Sequence, residues 1–284
     1  MAAEPLPFDL SGLDLPVLAP GSVWLAGAGP GDPGLLTLQV LNGLGQADAV
    51  VYDALVGEKI LALAGRQATL IHAGKRGGKP SPKQADISHR LIELARAGKR
   101  VLRLKGGDPL VFGRGGEEAL SLVKAGIPFR ILPGVTAGLG GLAYAGIPLT
   151  HREINSAVTF LTGHDAAGGV PAGVDWPAIA KGSPVIVLYM ALKHLGPIAA
   201  ALIAAGRDAH EPVAVVSKAT LPGQRVLETR LDDCARAAEA AAIEPPAIVV
   251  IGEVVKLRPG LDWLGALGGR ALIADPLHRA RDAG

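Results

Sequence analysis

Apolar and polar positions along this chain follow two rhythms that alternate many times. Short, nearly unbroken apolar runs at 23–28, 49–52, 69–73, 101–104 and 129–132 read as strands buried on both faces. Between them, Ile87, Leu91, Leu94 and Ala95 recur at helical spacing and predict a helix over 84–97. Further helices are expected at 33–47, where Asp32-Pro33 offers a cap and a first-turn proline, at 58–64 and at 117–125. Strands alternating with helices build βαβ units, and hence a parallel sheet. A second series of runs follows at 157–161, 185–189, 213–217, 225–229 and 247–251, with helices at 195–205 and 232–242. Little more than ATLPGQ separates 213–217 from 225–229. That is too short for a crossover helix, so these two strands should pair antiparallel and make the second sheet mixed.

The expected organisation is α/β in two domains: 20–152 with a mainly parallel sheet, and 153–258 with a mixed one. Residues 259–284 form a C-terminal appendage, a candidate oligomer contact. The small-residue segment VTAGLGGLAYAGIP is either a helix packed closely on a neighbour or part of the joint between domains. The length of 284 residues accommodates this arrangement. Apolar residues make up 49% and aromatics only 4%, so Ala, Val, Leu and Ile must build the cores. The 39 glycines and 22 prolines are spread along the chain, which suits tight turns.

A net charge of +2 lacks the basic footprint of a nucleic-acid or anionic-membrane binder, so anion recognition has to come from local clusters. Cys234 is the single cysteine. It excludes an internal disulfide and a multi-cysteine metal site, and it fits a reducing cytoplasm. No apolar run reaches the roughly 18 residues of a membrane span. Acids and prolines stand where a signal peptide would carry basic and apolar stretches. His151 and His164 have no metal-ligand spacing and read as structural or substrate-edge residues, and Cys234 reads as core filler.

The richest candidate chemistry lies in RLKGGDPLVFGRGGEEAL, 103–120: a strand, a glycine-rich loop, then a helix. Ligands of open α/β sheets sit at such carboxyl ends. The earlier loop Gly27–Gly34 matches GxGxxG from Gly29, with Asp53 where a ribose-binding acid would stand. Pro30 and Pro33, however, remove donors from a pyrophosphate cradle. Three readings stay open here: a dinucleotide site, a ligand-free tight turn, or another nucleoside approaching bare glycine backbone. Lys75, Arg76, Lys79 and Lys83 crowd one loop, and Arg103, Lys105, Arg114 and Arg152 come from other strand ends and loops. Together they would suit a ligand with several carboxylates, or they form a solvated basic face.

The segments VWLAGAGPGDPGLLTL, VVYDALV, GKRGGKPS, RLKGGDPLVFGRGGEE, PGVTAGLGGLAYAGIPLTHR, VTFLTGH and PPAIVVIGEVV occur in order from about 21 to 258. In these the chain resembles the tetrapyrrole methylase family, and within it the branch acting on uroporphyrinogen III. AGPGDP and GGDP are similar to the whole superfamily; GKRGGKPS, GRGGEE and AYAGIPLTHR are similar to that branch. The resemblance implies two α/β domains with the active site in the cleft between them, usually in a homodimer. It implies methylation at C2 and C7 by S-adenosyl-L-methionine (SAM), giving precorrin-2 via precorrin-1 and S-adenosyl-L-homocysteine. It displaces the dinucleotide reading, since the family's SAM site has no Rossmann pyrophosphate cradle.

By motif, the resemblance implies cofactor contacts at Pro30, Gly106, Gly107, Asp108, Val111, Thr136, Ala137, Met190, Ala219 and Ala247. Asp53 matches the proton acceptor and Lys75 the proposed donor. Because lysine is normally protonated at neutral pH, Lys75 has carboxylate binding as its alternative role. Arg76, Arg103, Arg114 and Arg152 are expected substrate anchors. Leu110 departs from a frequent phenylalanine and should alter packing little. No dehydrogenase-chelatase module is expected beside these segments, and the chain is expected to methylate only. The alternatives are a methylase of a later corrinoid and, more remotely, a NAD-dependent oxidoreductase.

Overall fold

The computed structural model describes residues 12–73, 84–165 and 168–277, and within them ten strands form two five-stranded sheets. The first sheet comprises β1 (Val23–Gly27), β2 (Ala49–Tyr52), β3 (Thr69–His72), β4 (Val101–Lys105) and β5 (Phe129–Leu132). Their order is β3-β2-β4-β1-β5 and every pairing is parallel. Helices α1 (Leu38–Gln46), α2 (Glu58–Leu61), α3 (Gln84–Arg96) and α4 (Gly115–Lys124) connect the strands. Helices cover both faces, so β1 and β4 are buried along their whole length. Trp24, Ala26, Leu102 and Leu104 pack with Val40 and Leu44 of α1. On the opposite face, Val23, Leu25, Val51 and Val101 pack with Leu91 of α3 and Leu122 of α4.

One expected helix is shorter than its pattern. Over 33–47 the chain makes a single 3-10 turn at Pro33–Leu35, passes through an extended Leu36, and begins α1 only at Leu38. The Asp32 carboxylate accepts from Gly34 N and so caps only the short turn, while Thr37 Oγ1 accepts from Val40 N and caps α1. The glycine loop after β1 therefore does not open directly onto an α-helix N-terminus.

The small-residue segment forms α5 (Ala137–Tyr144), packed closely on the second sheet, with Pro30 and Leu35 of the loop after β1 beside Gly140. A Cβ on Gly138 would collide with the Tyr189 hydroxyl, and one on Gly141 would strike Ala219 at 2.7 Å and Ile248 at 3.0 Å. Glycine is what lets this helix approach the second sheet.

That sheet contains β6 (Thr159–Thr162), β7 (Ile186–Tyr189), β8 (Pro212–Ser217), β9 (Arg225–Arg230) and β10 (Ala247–Ile251), in the order β6-β7-β10-β8-β9. The β6–β7 pair is parallel and the others antiparallel, including the expected β8–β9 pair. Helices α6 (Trp176–Gly182), α7 (Leu195–Ala204) and α8 (Cys234–Ala240) flank it. Cys234 is buried in this core, and burial pushes its thiol up to about 11, as befits an inert filler.

After β10, a 3-10 turn at Glu253–Leu257 leads to α9 (Arg258–Leu261) and α10 (Trp263–Leu267). The described part of the expected appendage is fastened to its own chain. Trp263 Nε1 donates to Ala143 O at 2.9 Å, its ring meets Tyr144 edge-on, and Arg258 joins Glu228 and Asp262. No helix among the described residues is long and apolar enough to cross a membrane.

Candidate active site

Three loops meet at the carboxyl edge of the first sheet. Gly27 ends β1, Gly107 follows β4 and Gly134 follows β5. A Cβ on Gly27 would lie 2.5 Å from Gly107 O and 2.6 Å from Gly134 Cα, so only bare backbone permits the convergence. Gly107 N donates to Gly29 O at 2.7 Å and Gly29 N to Gly107 O at 3.1 Å, closing a small bridge between the two glycine motifs. Asp108 pins the turn: Oδ1 accepts from Leu110 N at 2.8 Å and Oδ2 from Gly134 N at 3.0 Å. Gly107 sits at φ 69°, and a Cβ there would meet nothing nearer than 3.7 Å. Its positive φ, more than crowding, is what favours glycine here, and the turn lies in contact distance of Thr136 and Ala137.

The opposite wall comes from α5 and the second sheet. Tyr189 ends β7; its hydroxyl lies 2.8 Å from Thr136 Oγ1 and accepts from Gly138 N at 2.7 Å. Burial raises the Tyr189 phenol above its ordinary range, while the bonds from Thr136 and Gly138 oppose that shift. The Phe112 ring stands 5.0 Å from that of Tyr189 and ties the loop after β4 to this wall. Phe112, Met190, Lys218 and Thr220 all adopt positive φ between 49° and 65°, a concentration of backbone strain of the kind found at ligand sites.

Most of the expected cofactor residues come together here. Pro30 packs beside Gly140, Gly106 against Leu55, and Gly107 beside Thr136. Val111 and Ala137 pack on the second sheet's apolar cluster, which contains Ala219. Met190 follows Tyr189 with half its surface exposed. Ala247 is the exception: it pairs with Ser217 across β10 and β8, and its side chain packs on the cluster at the sheet's other face, with Leu188, Val215 and Cys234.

Asp53 follows β2, partly exposed, with Arg103 Nη2 2.6 Å from its Oδ1 and Lys105 Nζ 3.9 Å from its Oδ2. Arg103 requires a correction as a substrate anchor. It is only 1% exposed and all three guanidinium nitrogens are engaged. Nε and Nη2 donate to Glu118 Oε1 at 3.2 Å each, and Nη1 reaches Val51 O and Leu104 O. Of Arg103 and Asp53, Asp53 is the member that reaches solvent. Lys105 Nζ bonds the same Glu118 Oε1 at 2.9 Å. Burial pushes the Lys105 amine below its usual range, and the Arg103 charge adds to that, against Glu118 and Asp53.

Arg114 is exposed at the start of α4, in a left-handed conformation, with a two-pronged bond to Glu117 at 2.9 and 2.7 Å. That pairing raises Arg114 and lowers Glu117 from their ordinary values. Arg152 is exposed in the turn after His151. Lys75, Arg76, Lys79 and Lys83 lie outside the described residues. His151 and His164 each carry a buried Nδ1 without a partner among the described residues, which hold no metal-ligating cluster.

Tyr189, Phe112 and Glu118 were missed as site residues. A signal existed for Glu118: two cations at alternate positions, Arg103 and Lys105, in a strand buried on both faces require a buried acid.

Comparison with known proteins agrees with this arrangement. A family model described as Tetrapyrrole (Corrin/Porphyrin) Methylases matches residues 22–235. A uroporphyrinogen-III C-methyltransferase of Sinorhizobium sp is 68% identical over 262 residues, 92% of this chain and 94% of the relative. A siroheme synthase of Zymomonas mobilis is 48% identical over 87% of this chain but only 51% of its own length, so the chain spans about half of that relative. The crystal structure of a Thermus thermophilus uroporphyrin-III C-methyl transferase complexed with S-adenyl homocysteine superposes with a TM-score of 0.72 at 41% identity. That match covers 83% of this chain and 99% of the other. With its glycine turns, its two sheets and these matches, the chain belongs to the tetrapyrrole methylase family.

Proposed function

We propose that this chain methylates uroporphyrinogen III at C2 and C7 with S-adenosyl-L-methionine, giving precorrin-2 by way of precorrin-1. The observation that carries the reading is the meeting of bare-backbone turns at Gly27, Gly107 and Gly134 next to Asp53, in a chain matched nearly end to end by a uroporphyrinogen-III C-methyltransferase. The cleft of this reading lies between an N-terminal unit over 20–152 and a C-terminal unit over 153–258.

The turns at Pro30 and Gly106–Asp108, with Val111, Thr136 and Ala137, hold the adenosyl donor. Met190 and Ala219 form the second wall, and Ala247, whose side chain faces the other side of the sheet, contributes its main chain. When bound, SAM supplies an electrophilic methyl: the carbon–carbon bond forms as the sulfur–methyl bond breaks, its electron pair staying on sulfur. The chain's own work is to align the pyrrole carbon at roughly 3–3.5 Å from that methyl and to exclude water. Methylation leaves the macrocycle cationic, and Asp53 stabilises that charge and accepts the departing proton. Arg114 and Arg152 bind peripheral carboxylates, with Lys75 and Arg76 joining them from the basic loop. S-adenosyl-L-homocysteine and precorrin-2 leave, the latter toward sirohaem or cobalamin. The same reading makes the enzyme a cytoplasmic homodimer.

Anaerobic incubation with SAM and uroporphyrinogen III, followed by mass spectrometry, tests the reading. The expected result is a product carrying two added methyl groups. No gain on this substrate, or a gain only on a later corrinoid, overturns it.

A further inference from the structure

Arg103, Lys105 and Glu118 are 1%, 3% and 0% exposed, and the reaction described above uses none of them. Ions buried this deeply are a costly way to join a strand to a helix, because apolar side chains of similar volume do so at least as well. Their placement gives a reason to keep them. Arg103 and Lys105 lie two residues apart on β4, on the same face of the sheet, under α4. Glu118 Oε1 accepts from Arg103 Nε, Arg103 Nη2 and Lys105 Nζ. One oxygen on a rigid helix thus fixes both cations. Arg103 Nη1 is held further by the carbonyls of Val51 and Leu104. The fixed Nη2 takes Asp53 Oδ1 at 2.6 Å, whereas Oδ2 has Lys105 no nearer than 3.9 Å. Asp53 is the one member of the group that reaches solvent, with 29% of its side chain exposed.

We infer that Glu118, Arg103 and Lys105 are positioning residues that clamp one oxygen of Asp53 and present the other to the cleft. The inference rests on the role given to Asp53 above. Arg103 acts through Asp53 and never touches substrate, which is why its three nitrogens are turned inward. The planar fork matters beyond its charge, because an ammonium at the same place cannot span Glu118 and Asp53 while holding the two carbonyls.

A double-mutant cycle tests the clamp. Arg103→Lys and Glu118→Gln are made in the wild-type background and in Asp53→Asn. Turnover and KM for uroporphyrinogen III are measured, with S-adenosyl-L-homocysteine affinity by calorimetry as the check that the cleft is intact. In the wild-type background each change should lower kcat about tenfold or more, with KM and cofactor affinity held within about threefold. In the Asp53→Asn background the same change should lower kcat by less than about twofold, because the residue it positions has lost its function. Equal factors in both backgrounds, or losses confined to KM or cofactor affinity, overturn the inference and leave the role of Asp53 standing. Wild-type turnover by Asp53→Asn alone overturns the role of Asp53, and the clamp with it. Glu118→Gln keeps the side chain's shape and an acceptor oxygen, so it serves as the readout if Arg103→Lys folds poorly.

Discussion

Adjacent glutamates on one helix lead very different lives. Glu117 and Glu118 both open α4, and each binds an arginine from the segment just before it. Glu117 meets Arg114 in solvent, with both side chains more than half exposed. Glu118 meets Arg103 and Lys105 inside the protein. The chemistry is the same; the surroundings differ. An exposed pair exchanges water for a partner at almost no net gain. In the buried group every charge has lost its water, so each depends on the others remaining in place. The helical turn places successive side chains on different faces, which is how neighbouring residues in sequence come to these opposite ends of the scale.

The contrast is broken most severely by Glu118→Ala. Two buried cations would lose their shared acceptor, and urea denaturation should show a loss of about 3–5 kcal/mol. An intermediate case is Asp48, partly exposed, whose Oδ1 and Oδ2 hold the Arg100 side chain while Oδ2 also takes the Arg100 amide. The bonds from Arg100 hold the Asp48 carboxyl down at about 2, below its ordinary 3.8. A lowered acid stabilises the fold in full above its unfolded value and ceases to do so as pH falls through the folded one. Thermal melts of Asp48→Asn and wild type should therefore differ above pH 3.8 and converge as pH drops toward about 2. Arg114→Gln should have the smallest effect on stability, about 0–1 kcal/mol by urea denaturation, and less in high salt. If Arg114→Gln cost as much as Glu118→Ala, burial would not be what separates the two pairs.

Much of the framework could be read before folding was considered. The bounds of β2 and β10 match their apolar runs, because a strand buried on both faces writes itself as an uninterrupted stretch; β5, an edge strand with Phe129 and Arg130 exposed, matches in bounds alone. Helix α6 escaped notice: it is short, carries Pro177 in its first turn, and announces itself only by the Asp175 cap. The 33–47 pattern misled because Asp32 is engaged elsewhere, with Tyr144 and Gly34, so the helix waits for Thr37. Glycines at the strand ends have a plain physical reason, since close backbone approach demands them at Gly27 and Gly134. The direction in which Arg103 points was not legible. A cation at a strand end faces either a ligand or a buried acid, and that is decided by which side α4 covers. The union of Thr136 with Tyr189 joins residues far apart in sequence and belongs to tertiary packing alone.

Asp32 also receives Tyr144 OH on its carboxylate and donates its amide to Thr220 Oγ1, while Gln224 Nε2 reaches Tyr144 O. These stitches join the two halves of the molecule right beside the first glycine turn. The walls beside that turn are thus already sewn together, and a wide hinge swing would first have to tear the seam. Leu55, Leu110 and Met190, by contrast, each leave about half or more of their surface uncovered.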